Sequence, residues 1–340
     1  MFVPSLLLHR EAQQHERGMM TVDKPITSGI TKEQLEKFRE LIEVAARKAG
    51  ELALKKVNPD KDGLQCLIEN GDEFKSSITD AIIAKTHVLS VSILLDDDEV
   101  ESSCRYPREY KGPRLIVEQI NALADTFGLD PASALEYAKN LPALGSFVPE
   151  DALEWVGWFA VLSEDALARR YFPNASNPLD RYCRAVQLVN DKIAVSRPFK
   201  NCREGHIAPE YLHVHEHTIH ACQKITKTQP GDIQIIAAQL GMRHRARSVR
   251  KAHKLFVANE FGLTSLMGGS IALTHPERFV YDGELDMDCA GDTCWSDTDG
   301  PFSGAPFYGC DGKHLRYGYA RISRPSKEYG ASTGFFPKYI

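Results

Sequence analysis

Three clusters in this chain hold residues whose types and spacing could do chemistry. The first is basic: Arg243-His244-Arg245-Ala246-Arg247-Ser248-Val249-Arg250-Lys251-Ala252-His253-Lys254, in which six of twelve residues are Arg or Lys and none is acidic. On a helix, at roughly 100° per residue, Arg243, Arg247, Arg250, Lys251 and Lys254 share one narrow face, with Val249, Ala252 and Phe256 opposite. Arg245 falls on the wrong side, so the helix is expected to start near Ala246. Such a stripe can track the phosphates of a nucleic acid. Its apolar side is too small to favour a membrane surface. The competing reading is that these cations pair with carboxylates of the same chain.

The second cluster is acidic. Glu284-Leu285-Asp286-Met287-Asp288-Cys289 alternates, so Glu284, Asp286 and Asp288 share one face of a strand. Three carboxylates on one face must be solvated, paired with cations or bridged by a divalent metal. A metal-dependent hydrolytic or phosphoryl-transfer site is one reading. It is supported by the absence of Lys and Arg between Arg278 and Lys313; pairing of the acidic segment 284–299 with the basic helix about thirty residues earlier is the other reading. The third cluster is His213-Val214-His215-Glu216-His217-Thr218-Ile219-His220. A helix would place His213, His217 and His220 together, and a strand His213, His215 and His217; either could present imidazoles to zinc. A solvated histidine face is the alternative, since the spacing matches no HExxH pattern.

The elements that must carry these groups are legible in part. Thr31 with Gln34 forms a capping box, followed by Leu35, Phe38, Ile42, Ala45, Ala49 and Leu52 at helical intervals. Further helices are expected over 63–70 and 72–88, from Pro113 to Phe127 with Gly128 behind it, after Asp130-Pro131, and from Asn177-Pro178 onward. Trp155 to Leu162 reads as a buried strand. Ile233 to Gly241 has a partial helix-turn-helix pattern, but Arg247 stands where that motif wants an apolar residue, and Ile233 and Ile235 alternate as in a strand. Asp96, Asp97, Asp98, Glu99 and Glu101 read as a solvated loop. The last 60 or so residues, rich in Gly, Asp and aromatics, suggest short strands and loops.

The fold class expected is α+β, with a helical N-terminal half and a mixed C-terminal half. The expected organisation is a disordered tail over 1–25, a mainly helical region over 26–150 and a mixed region over 151–340. The 340 residues carry a formal net charge of −5, which excludes a protein that coats nucleic acid over its whole surface. Eight scattered cysteines without a CxxC pair point to reduced thiols and a cytoplasmic location, with no membrane span. No nucleophile elbow, phosphate loop or dinucleotide fingerprint occurs.

Five stretches resemble a family of uncharacterised bacterial proteins: Asp62 to Phe74, Gly241 to Leu263, Thr274 to Phe279, Asp286 to Asp292 and Gly334 to Pro337. The resemblance implies a bacterial cytoplasmic origin and brings no activity, cofactor or catalytic residue. Function is therefore expected to be nucleic-acid binding through the basic helix. The alternatives are divalent-metal enzymology on the carboxylates or histidines, or a structural subunit without catalysis.

Overall fold

A computed structural model describes residues 98–296 and 300–337, together with Lys37, Arg47, Lys48 and Gln65. The chain divides into two compact units, residues 1–90 and 91–340, and the second carries all three clusters. The tail expected over 1–25, the helices expected between 31 and 88, and Asp96 and Asp97 lie outside the described residues.

Helix α1 (Ile116–Phe127) buries Ile120, Leu123 and Phe127 on one face, as its spacing requires, and ends at Gly128 in the left-handed conformation (φ 60°). Helix α2 (Ala132–Ala138) starts where the Asp130 carboxylate accepts the Ala132 N–H at 2.9 Å. After the short helix α3 (Glu150–Leu153) comes strand β1 (Gly157–Leu162), buried as its aromatic and β-branched residues predict. Ser163 caps helix α4 (Glu164–Tyr171). Asn177 caps the 19-residue helix α5 (Pro178–Ser196), with Pro178 in its first turn.

Strands β2 (Phe199–Asn201) and β3 (Leu212–Val214) precede helix α6 (Glu216–Thr228) and the fully buried strand β4 (Ile233–Gln239). The partial helix-turn-helix pattern thus resolves as a strand. Helix α7 (Val249–Leu255), strand β5 (Glu260–Gly262) and helix α8 (Ser265–Thr274) come next. The C-terminal part holds β6 (Asp286–Asp288), β7 (Asp292–Ser296), β8 (Gly300–Asp311), β9 (His314–Arg321), β10 (Tyr329–Ala331) and β11 (Thr333–Phe335). Not all of these are short: β8 and β9 form a long hairpin closed by Gly312 (φ 63°) and Lys313, the two-residue loop that suits the strand twist.

The class is α+β, with two sheets among the described residues. One is antiparallel, in the order β1-β4-β11-β5. The other runs β10-β6-β8-β7-β3, with β9 pairing β8 and β2. The chain passes from one sheet to the other at Ser332, which is buried and bonds to the Asp288 carbonyl through both its N–H and its hydroxyl. Helix α8 is the centre of the core: nine of its ten residues are buried, and it packs on α5, β1, α1 and β8. An α-helix apolar all round needs partners all round. Gly268 and Gly269 let them approach, since a Cβ on Gly269 would sit 2.5 Å from Val189 Cγ1 and 2.8 Å from Tyr308 Oη.

Two expectations are corrected by the fold. The basic run is not one helix from Ala246: Met242–His244 is a 3-10 turn, and α7 begins only at Val249, capped by Ser248. Between them Ala246 has a positive φ (63°), its N–H bonds to Tyr329 O, and its carbonyl accepts from Val100 N–H. Residues 245–247 are held as an extended strap between Glu99 and Gly330, and that pairing overrides helical propensity. The acidic loop expected around Asp98 and Glu99 is not wholly solvated either, because Asp98 is buried.

Candidate functional site

Most of the basic run is engaged within the fold. Arg250 donates to the Asp98 carboxylate at 2.7 Å, with Ser248 Oγ bonded to the same oxygen at 2.8 Å. Burial raises the Asp98 pKa, but these two hydrogen bonds together with the charges of Arg250 and Lys254 outweigh it and hold the carboxyl below its ordinary value. Arg243 lies 2.6 Å from Asp151 and 3.3 Å from Glu260, and Arg247 lies 3.2 Å from Glu99. Arg245 donates to the Cys104 carbonyl. Lys254 is exposed and Lys251 half-buried. Internal pairing, one of the two readings of this run, is what these contacts are. The partners, however, are Asp98, Glu99, Asp151 and Glu260 rather than the 284–299 segment. The strap lies against β10; its Arg247 turns to Glu99, whereas Arg243 of the preceding 3-10 turn reaches Asp151 before β1 and Glu260 at the start of β5.

The carboxylate strip has other neighbours. Asp286 and Asp288 are buried in β6, between β10 and β8, and Glu284 precedes the strand. Asp286 lies 3.3 Å from Arg316 of β9 and accepts the Cys310 N–H. Burial pushes it up to about 7, against the pull of Arg316 and Arg278. Burial also raises Asp288 far above the carboxylate range, with no cation beside it. One Asp288 oxygen has no hydrogen-bond partner among the described residues.

The histidines are dispersed by a strand-to-helix turn. His213 belongs to β3, bonds to Pro209 O at 2.8 Å and stacks on Phe302 with ring centroids 4.0 Å apart. His217 and His220 lie exposed on α6. His215 meets His253 of α7 instead, at 4.6 Å between centroids. Among the described residues no three His, Cys, Asp or Glu side chains gather closely enough to hold a metal.

The feature with room for a ligand lies elsewhere. A cleft of about 740 Å³ opens between the first turns of α4, α5 and α8 on one side and α6 on the other. Leu162, Leu179, Val214, Leu266 and Met267 give it apolar lining; Glu164, Asp165, Arg181, Tyr182, Thr226, Lys227 and Gln234 supply polar groups. Burial lifts the Glu164 carboxyl to about 7, opposed by Arg181 and helped by Asp165. Arg181 Nε stands 3.6 Å from Glu164 and its Nη2 3.8 Å from Asp165, both beyond hydrogen-bonding distance. The same Nε is buried and has no hydrogen-bond partner among the described residues.

Behind the cleft, Tyr182 Oη donates to Asp292 Oδ2 at 2.5 Å, and the Ser265 N–H donates to the same oxygen at 2.7 Å. Tyr317 Oη bonds to Ser265 Oγ at 3.0 Å and Tyr308 Oη to Asn190 Oδ1 at 2.8 Å. Burial pushes Asp292 up to about 7, with the Ser265 and Tyr182 hydrogen bonds pulling it down. The second Asp292 oxygen has no hydrogen-bond partner among the described residues. This chain of hydroxyls and a buried carboxyl joins the cleft wall to the start of the central helix.

None of Glu164, Arg181 or Tyr182 stood out in the sequence. The sequence signal was Asn177-Pro178, which marked the start of α5 but not its convergence with α4, whose start at Ser163 was not foreseen. Fold and site together define an α+β protein with a roomy mixed-polarity cleft. Comparison with protein-family models, with curated proteins and with solved structures found no match to this chain.

Proposed function

We propose that this chain binds a small organic molecule in the cleft between α4, α5 and α6. The observation that carries this reading is a cavity of about 740 Å³ with an apolar lining and a carboxyl, Glu164, that titrates at about 7. Pockets for small molecules typically span a few hundred to about 1,000 Å³ and set a few polar groups in apolar walls. Carboxyls shifted toward neutrality concentrate where proton transfer or ligand binding occurs.

Nucleic-acid binding through Arg243, Arg247, Arg250, Lys251 and Lys254 is supported by the exposed Lys254 and half-buried Lys251, but three of the arginines are paired inside the fold. The cleft therefore takes precedence. The test is a fluorescence titration with N-phenyl-1-naphthylamine, a neutral aromatic probe. Saturable binding is expected, and Cys222→Trp or the milder Ile219→Trp, both on the α6 wall, should weaken it with little change in Tm. Absence of saturable binding, or binding indifferent to both substitutions, would refute the proposal.

A further inference from the structure

We infer that the cleft's ligand is an organic oxyanion, such as a carboxylate, anchored on the guanidinium of Arg181; the inference rests on the cleft being the binding site. Arg181 stands in the first turns of α5, where its backbone N–H bonds to Asn177 O. That fixes the base of the side chain at the cleft wall. Its side chain is 31% exposed, and its guanidinium meets Glu164 and Asp165 only at 3.6 and 3.8 Å. Elsewhere in the same fold Arg114 closes on Glu277 through two hydrogen bonds, of 3.0 and 2.6 Å. Arg181 is the contrast: its carboxylate contacts are long, and its buried Nε has no hydrogen-bond partner among the described residues.

A buried donor without an acceptor carries a standing free-energy penalty, which a ligand that supplies the acceptor relieves. The planar guanidinium fork matches the two oxygens of a carboxylate or phosphate better than any other common group. Two further features of the cleft favour negative charge. Lys227 faces it from α6. Three helix starts also open on it, those of α4, α5 and α8, whose dipoles place partial positive charge there. The carboxylates nearby oppose an anion less than their number suggests. Glu164, lifted to about 7, keeps its proton about half the time at neutral pH. Asp180 of the same α5 turn is taken by Arg184 at 2.8 Å, which leaves Asp165 of the lining as the opposing carboxylate.

The experiment compares two probes of one skeleton on the full-length protein. N-phenyl-1-naphthylamine is neutral, and 8-anilinonaphthalene-1-sulfonate adds an oxyanion. The sulfonate is expected to bind at least about tenfold more tightly, the equivalent of roughly 1.4 kcal/mol. Arg181→Gln should erase that advantage while leaving the neutral probe within about twofold, and Arg181→Lys, which keeps the charge and loses the fork, should recover only part of it. Equal affinities for the two probes in the wild type would overturn the inference, as would an Arg181→Gln loss shared by both. Either result leaves the cleft as a binding site; failure of the neutral probe to bind at all is what removes the cleft itself.

Discussion

Individual side chains in this protein have proton affinities far from those they show in water. His275 is the clearest: its Nε2 accepts the Arg114 N–H at 3.0 Å and its Nδ1 meets Thr274 Oγ1 at 2.9 Å. The ring is therefore neutral with its proton on Nδ1, and protonating Nε2 would expel the Arg114 donor. Burial sets its pKa at about 4. NMR of the imidazole carbons is expected to show His275 neutral down to about pH 4, and a midpoint near 6.5 would contradict the hydrogen-bond assignment. Asp288 has the opposite problem. Its folded pKa is raised, so folding takes up a proton once the pH passes the unfolded value, and stability then falls by up to about 1.4 kcal/mol per pH unit. Asp288→Asn removes that proton. The stability of the variant relative to wild type, from urea titrations, is expected to improve steadily from pH 4 toward 8.

At the scale of elements, two contacts are decisive. Helix α8 is threaded between α5 and β8, and its two glycines touch Val189 and Tyr308. Gly269→Ala should cost about 1–3 kcal/mol by overpacking, although alanine is the better helix former, because Val189 and Tyr308 are themselves buried and have little room to retreat. A lower urea midpoint at unchanged m-value is the expected signature. The strap of residues 245–247 and the start of α7 are anchored by Arg250 on Asp98. Arg250→Met leaves a buried carboxylate with Ser248 alone, a loss of about 1–3 kcal/mol. A double-mutant cycle with Asp98→Asn should show coupling between the two sites.

Taken as a whole, the molecule sets buried carboxyls against buried histidines. Glu164, Asp286 and Asp292 titrate at about 7 when folded, and Asp288 is raised as well. Each contributes stability that is complete below about pH 4 and lost as the pH rises toward its folded pKa. His253 and His275 sit at about 4, and His215 is lowered. Their contribution is complete above about pH 6.5 and lost as the pH falls toward 4. In the shared window the four carboxyls outnumber the three histidines, so Tm is expected to be higher at pH 5.5 than at pH 8. A Tm that climbs toward pH 8 would mean that the buried carboxyls are already ionised in the native state.

Local chemistry in the sequence sufficed for those elements whose signals are short-range: the Asn177-Pro178 start of α5, the Asp130 cap of α2, the Gly128 end of α1, the buried strand at β1 and the α+β class. It also sufficed to recognise Arg243–Lys254 as unusual, and to name pairing within the chain as one outcome. What it could not decide was where any group met a partner far along the chain. The alternation at residues 284–288 is real, but burial between β10 and β8 with Arg316 alongside is a property of sheet order. The histidines are close in sequence and parted by one turn. The cleft depends on first turns of α4, α5 and α8 that are up to about a hundred residues apart. Periodicity and capping act over a few residues, whereas burial, unmet hydrogen bonds and shifted proton affinities arise only once distant segments have packed together.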